Sequence, residues 1–247
     1  MIHIKSSREI ALMKKAGHIL ANVFEILEPL CKPGVTTNYL SDVAEKVIRQ
    51  AGGIPEEKGY YGYPAAICAS INEEVVHGIP GDRVLREGDI VTVDTVAYKN
   101  GYHGDACRTF CIGNVAPEVK QLVKVTEECF FKGIEGLKAG TPLFDIGYRV
   151  QKHAESFGYG VIRSYTGHAI GKEMHEDPSV PNFGKLGTGM RLKEGMVLCI
   201  EPMIALGSWR VRVLSDRWTA VTEDGKPAAH YENTVVVRKD GVEILTL

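Results

Sequence analysis

Five residues of this chain combine acid or imidazole chemistry with surroundings that are otherwise apolar or lined by glycine. Asp94 interrupts the run IVTVDTVAY, and Asp105 follows in GYHGDACRTF. His168 lies in TGHAIGKEMHEDP, Glu201 in GMVLCIEPMIAL, and Glu232 precedes a run of valines in YENTVVV. One Asp in a strand is ordinarily a solvent-facing charge, and one His is ordinarily a packed side chain. Together, four carboxylates and an imidazole form a hard, oxygen-rich set suited to two divalent ions bridged by shared carboxylates. Mn, Fe, Co, Zn and Mg are all compatible with it. The segment GHAIGKEMH is not HExxH, so a helical zinc-protease site is unsupported.

These residues need strands to position them. Asp89 to Gly113 reads as two apolar strands joined by Asn100-Gly101, the strongest short-range signal for a two-residue hairpin turn. A turn centred there pairs residue 94 with residue 107 and sets Asp105 diagonally beside that pair, on the face of Asp94. A three-residue loop would move Asp105 to the other face. Two like charges this close repel unless a cation lies between them.

Upstream, Ser6 or Ser7 caps a helix with Ile10, Met13, Leu20, Val23, Phe24, Leu27 and Leu30 on one stripe, ended by Pro33-Gly34. Thr36 or Thr37 caps a second helix through Leu40, Val43, Ala44, Val47 and Ile48, closed by Gly52-Gly53. A Gly-, Tyr- and Pro-rich loop, Gly53 to Pro64, is long enough to suggest function, and a strand-like segment runs from Ala65 to Ile71. Pro117 starts another amphipathic helix toward Leu137. Lys32-Pro33-Gly34 matches Lys138-Ala139-Gly140 at an offset of 106, as Leu40 matches Ile146 and Gly52 matches Gly158, which suggests an internal duplication. The same offset carries Asp94 to the neighbour of Glu201. Two related halves would set such acids face to face across a cleft, where buried carboxylates call for a cation.

The 247 residues are 44% hydrophobic and 24% charged, with a formal net charge of -2; this offers an ample core and no basic footprint for nucleic acid. Charges interrupt the N-terminal segment MIHIKSSREIALMKKAG, and no apolar run of about 18 residues occurs, so a cytoplasmic protein without a membrane span is expected. The six cysteines lack any CxxC pair and are expected to be free thiols.

HGIP at His77, the Asp94-x10-Asp105 spacing, GHxIG at His168, EPM at Glu201 and YENTVVV at Glu232 span nearly the whole chain and resemble type I methionine aminopeptidase. The resemblance implies an α+β pita-bread fold. A single catalytic domain over 1–247 would comprise two pseudo-symmetric halves, roughly 1–113 and 114–247, whose curved antiparallel sheet holds a dinuclear metal centre. By that resemblance Asp105 and Glu232 bridge both ions, His168 and Glu201 complete one site, and Asp94 completes the other. His77 and His175 match two histidines that contact substrate. Tyr63, Cys68 and Trp218 resemble the methionine pocket, with Tyr60 at its rim. Ala169, Met174 and Tyr61 stand where Gly, Phe and His are usual. These departures bear on pocket shape and turnover, not on the ligands; Met174, flexible and apolar, could still line a pocket for a thioether.

The mechanism expected is metal-assisted hydrolysis of the first peptide bond, with the ions acidifying a bridging water and polarising the scissile carbonyl. Glu201 would take the water's proton and deliver it to the leaving amine, His175 would donate to the oxyanion, and His77 would position the peptide amide or assist the leaving group. The substrates implied are nascent polypeptides with N-terminal Met and a small uncharged second residue. Transient ribosome association would use the catalytic domain's own surface, since no zinc-finger-like N-terminal extension is expected. A monomer is expected. A prolidase or Xaa-Pro aminopeptidase shares the metal set but usually has a further N-terminal domain, for which 247 residues leave no room. A non-enzymatic binding protein on the same fold would have lost ligands that are all present here.

Overall fold

Local signals account for most elements of the structure, a computed structural model that describes residues 2–247. Ser6 caps α1 (Ser7–Leu27) through a reciprocal box: its hydroxyl accepts from the Glu9 N–H at 3.4 Å, and the Glu9 carboxylate accepts from the Ser6 N–H at 2.8 Å. The apolar stripe predicts a helix through Leu30, yet the α-helix stops at Leu27 and Glu28–Leu30 forms a 3-10 turn. Pro29 has no N–H to continue the ladder. Thr36 caps α2 (Thr37–Gln50), and Pro117 opens α3 (Pro117–Ile134), which ends short of Leu137 before Gly136 at φ 68°. A fourth helix, α4 (Phe144–Ser156), follows.

The strands are β1 (Ile54–Pro55), β2 (Cys68–Ile71), β3 (Glu74–Val76), β4 (Ile90–Lys99), β5 (Tyr102–Cys111), β6 (Gly160–Val161), β7 (Gly167–Ala169) and β8 (Glu176–Val180). After them come β9 (Val197–Ile200), β10 (Met203–Ala205), β11 (Val211–Val213), β12 (Ala220–Thr222), β13 (Ala228–His230), β14 (Glu232–Val237) and β15 (Val242–Ile244). β2 is shorter than the strand expected from Ala65. Asn100 and Gly101 both take left-handed backbone, φ 54° and 88°, as a two-residue primed turn requires. The hairpin register therefore pairs Lys99 with Tyr102 and Asp94 with Cys107, the two-residue alternative.

The principal sheet runs β1-β4-β5-β14-β9-β7-β8, with β2 on β4 and β15 on β14; β13-β10-β6 and β11-β12-β3 form two smaller sheets. One face of its strands is buried under helices. Val91, Val93, Ala97 and Ala106 pack with Leu20, Val23 and Leu27 of α1 and Leu40 and Ile48 of α2. Leu198, Ile200, Val235 and Val237 pack with Phe130 of α3 and Ile146 of α4. Arg108 clamps the seam between β5 and β14: it lies over the rings of Phe24 and Tyr231 and donates to Glu232 O at 2.5 Å and Asn233 Oδ1 at 2.7 Å.

Candidate metal centre

Strand register carries the acids to the other face. Asp94 lies opposite Cys107, and Cys107 lies opposite Glu232. Asp105 is two residues from Cys107, so the pleat points it the same way. His168 lies opposite Cys199, and Cys199 opposite Thr234, two residues beyond Glu232. Glu201 follows the last residue of β9, two positions from Cys199. Between β5 and β14 the ladder stops at Ala106 and Asn233; beyond it the Thr234 hydroxyl accepts from Asp105 N–H at 3.0 Å and donates to Asp105 O at 2.8 Å. Asp105 is held in place where the strands part. Gly167 lets β7 approach, since a Cβ there would stand 2.3 Å from Cys199 O.

His168 Nδ1 meets the Ala169 carbonyl at 2.9 Å, and because a carbonyl can only accept, Nδ1 carries a hydrogen. Its Nε2 faces the acids, 3.7 Å from both Asp105 Oδ2 and Glu201 Oε1. Donor atoms of Asp105, His168, Cys199 and Glu232 lie within 4.8 Å of one another, as do those of Glu201, His230 and Glu232. Asp94 Oδ1, Asp105 Oδ1 and Glu232 Oε1 are buried without a hydrogen-bond partner. Such orphaned acceptors are costly unless a cation completes them, so this donor set fits divalent metal.

The protein without metal meets the same cost by holding protons. Burial, then the neighbouring acids, push Asp94 and Glu232 well above the usual carboxylate range. Burial lifts Glu201 to about 8 against the opposing pull of His168. Burial works against charge on His168, but Asp105 and Glu201 outweigh it and raise the imidazole to about 9. Burial holds the Cys107 and Cys199 thiols far above their ordinary range, so they fill space here as neutral groups.

A cavity of about 220 Å³ opens on this face. Its walls include all five expected ligands together with His77, His175, Tyr60, Tyr63, Cys68 and Trp218. Met174 also lines it, whereas Tyr61 is 86% exposed and Ala169 packs in the core behind the sheet. Tyr63 is fixed by donation to Gly78 O at 2.8 Å and stands edge-on to Trp218, with ring centroids 5.0 Å apart. Tyr60 Oη lies 2.8 Å from His175 Nδ1, and the His168 and His175 rings are 4.3 Å apart. Burial and His168 hold His175 down to about 4, and burial lowers His77, so both are neutral near pH 7. A larger cavity, about 350 Å³, surrounds Arg108 between α1 and α3 and contains none of the five.

Two residues of the centre escape the sequence reading. Glu57, in the Gly/Tyr/Pro-rich loop, lines the cavity, and burial together with Asp105 lifts its carboxyl to about 8. His230 is 1% exposed, has neither ring nitrogen hydrogen-bonded, and places Nε2 3.9 Å from both Glu201 Oε2 and Glu232 Oε2. It ends β13, two residues before Glu232 opens β14 in another sheet, so no local periodicity marks it. The six cysteines are free, and among the described residues no helix is long and apolar enough to cross a membrane.

Buried carboxylates and an imidazole converging on an open cleft, carried by a curled antiparallel sheet backed by helices, define a metal-dependent hydrolase. Residues 11–239 match metallopeptidase family M24, and the chain belongs to that family. It is 55% identical to the methionine aminopeptidase of Clostridium acetobutylicum, covering 100% of this chain and 99% of that one. It is 46% identical to methionine aminopeptidase 1 of Bacillus subtilis, again over 100% of this chain and 99% of the other. The crystal structure of methionine aminopeptidase from Rickettsia prowazekii superposes with TM-score 0.98 at 42% identity, covering 100% of both chains. The expected α+β pita-bread architecture is the one observed. A prolidase from Pyrococcus furiosus, at 22% identity and TM-score 0.77 over 99% of this chain and 65% of that one, shares the fold alone.

Proposed function

We propose that this chain removes the N-terminal methionine from nascent polypeptides and peptides in the cytoplasm, preferring a small uncharged second residue. The observation that carries the reading is the joining, in one cavity, of the acid and imidazole wall to an apolar wall of Tyr63, Cys68, Met174 and Trp218. Two divalent ions held by Asp94, Asp105, His168, Glu201 and Glu232 would supply an acidified water and a polarised scissile carbonyl. Glu201 would be the group that accepts a proton on its carboxylate and passes it to the leaving amine. Tyr60 Oη lies 2.8 Å from His175 Nδ1, and donation of the hydroxyl hydrogen to that nitrogen would leave the hydrogen of the neutral ring on Nε2, free to donate to the developing oxyanion. His77, edge-on to Tyr165 at 5.4 Å, holds the peptide amide or assists the leaving group. Met174 adapts its thioether to the substrate's side chain.

Peptide assays with added Mn or Co test this. Met-Ala-Ser should be cleaved faster than Leu-Ala-Ser by about 10- to 200-fold, the range that pocket shape can supply. Equal rates on the two would overturn the pocket assignment, and preferential cleavage of an X-Pro peptide would assign the chain to the prolidase branch instead.

A further inference from the structure

Lys5 and Glu176 form a buried ion pair for which the chemistry described so far has no use. Lys5 Nζ lies 2.5 Å from Glu176 Oε2, and the two side chains are 4% and 9% exposed. The Lys5 backbone is fixed as well: its N–H donates to Gly195 O at 2.8 Å, and a Cβ on Gly195 would stand 2.7 Å from Lys5 O. The other Glu176 oxygen, Oε1, accepts from Lys172 N–H at 3.0 Å, which closes the segment between β7 and β8 into a ring. Gly171 begins that ring, and its carbonyl accepts from His103 N–H at 2.9 Å. A Cβ on Gly171 would lie 2.5 Å from Glu176 Oε1 and 2.6 Å from Lys5 Cε, so the ring and the Lys5 side chain close on each other without a gap.

His175 sits on this ring. It lines the cavity but is itself exposed, so packing alone does not fix its imidazole and the backbone on either side must do so. On one side Met174 is buried in the cavity wall; on the other Glu176 is held by the Lys5 charge. An exposed ion pair would be a weak fastening. A buried one resists opening, because separating the partners leaves a desolvated charge without compensation. Neither Lys5 nor Glu176 lines the 220 Å³ cavity, so any effect on the reaction must pass through the loop. We propose that the Lys5–Glu176 pair is a positioning device, holding residues 171–176 so that His175 meets the developing oxyanion. The proposal rests on the role given to His175 and deepens it. Misplacing such a donor by about 1 Å costs up to about 100-fold in rate.

The test places Lys5→Met in two backgrounds of the Mn-loaded enzyme, wild type and His175→Ala, and measures Met-Ala-Ser kinetics per folded molecule. In wild type it should lower kcat by about 10- to 100-fold, with KM within about twofold and metal content unchanged. In His175→Ala the same substitution should change kcat by less than about twofold, because the residue through which Lys5 acts is gone. Glu176→Gln, which keeps an acceptor for the loop but removes the charge, should show the same dependence on His175 and decides the matter should Lys5→Met not fold. Wild-type kcat in these variants, loss of a metal equivalent, or an equal loss of kcat in both backgrounds would overturn the proposal and leave the pair a purely structural one. Failure of the underlying reading would show separately, as wild-type enzyme that does not cleave Met-Ala-Ser or as His175→Ala enzyme with wild-type kcat.

Discussion

The two faces of the β4-β5-β14-β9 sheet are written by alternate residues of the same strands, yet they obey opposite rules. On the helix-covered face, Val93, Ala106, Val235 and Leu198 pack against α1 to α4 and gain free energy from burial alone. On the other face Asp94, Asp105, Glu232 and His168 are just as firmly placed, but Asp105 and Glu232 are buried with unpartnered oxygens. The first face stabilises the fold, while the second holds a liability that only protons or cations relieve. A one-residue slip of register would exchange them, so the Asn100-Gly101 turn matters to chemistry as much as to folding.

Substitutions should separate the faces. Glu201→Ala should lose metal from one site and about 10²- to 10⁴-fold in turnover, since a ligand and the proton acceptor vanish together. The metal-free variant should melt no lower than metal-free wild type, because a buried acid has gone. Loss of stability comparable to a core truncation would break the comparison. His175→Ala should keep both metals and lose roughly 10²- to 10³-fold, mainly in kcat. A His175→Ala protein with wild-type kcat, or lacking one metal, would remove His175 from the role given to it. Leu198→Ala, on the packed face, should instead cost about 2 to 5 kcal/mol of stability, read by denaturant titration, with activity per folded molecule retained.

A smaller effect sharpens the contrast through pH. Glu201 at about 8, with Asp94 and Glu232 shifted the same way and His168 at about 9, all lie above their unfolded values. The metal-free folded state therefore keeps protons that the unfolded chain releases. That stabilisation is fully present below the unfolded values and is lost as pH rises through the folded ones. Melting temperature of the metal-free protein should fall between pH 6.5 and 9, a window above the titration of His175 and His230 at about 4 and 3. With metal bound, the fall should flatten, because cations replace the protons. A flat metal-free profile would show that the acids are not proton-bound.

Much of this arrangement was legible in the sequence, for reasons that differ by residue. Asp94 and Asp105 could be placed because a two-residue turn leaves one register, and Glu201 because an acid within an apolar run has few other uses; Glu232, at the head of its valine run, gained meaning only beside the other four and through the resemblance. Helix ends were less legible: the stripe through Leu30 says nothing of the hydrogen bond that Pro29 cannot make. Glu57 was invisible for a deeper reason. In PEEKG it looks like a solvated charge run, and only pairing of Ile54 and Pro55 with β4, more than 40 residues away, turns it inward. His230 is buried by the meeting of β13 with Glu201, a contact that local pattern does not encode.

The central claim is that the acid face is a metal site and that its metal makes the enzyme work. Titration of the metal-free protein with Mn(II) or Co(II), followed by calorimetry and elemental analysis alongside Met-Ala-Ser hydrolysis, tests it most directly. The account predicts two bound equivalents, abolition of turnover by exhaustive chelation, and recovery on adding metal back. Full activity after chelation, with no metal found in the protein, would contradict it.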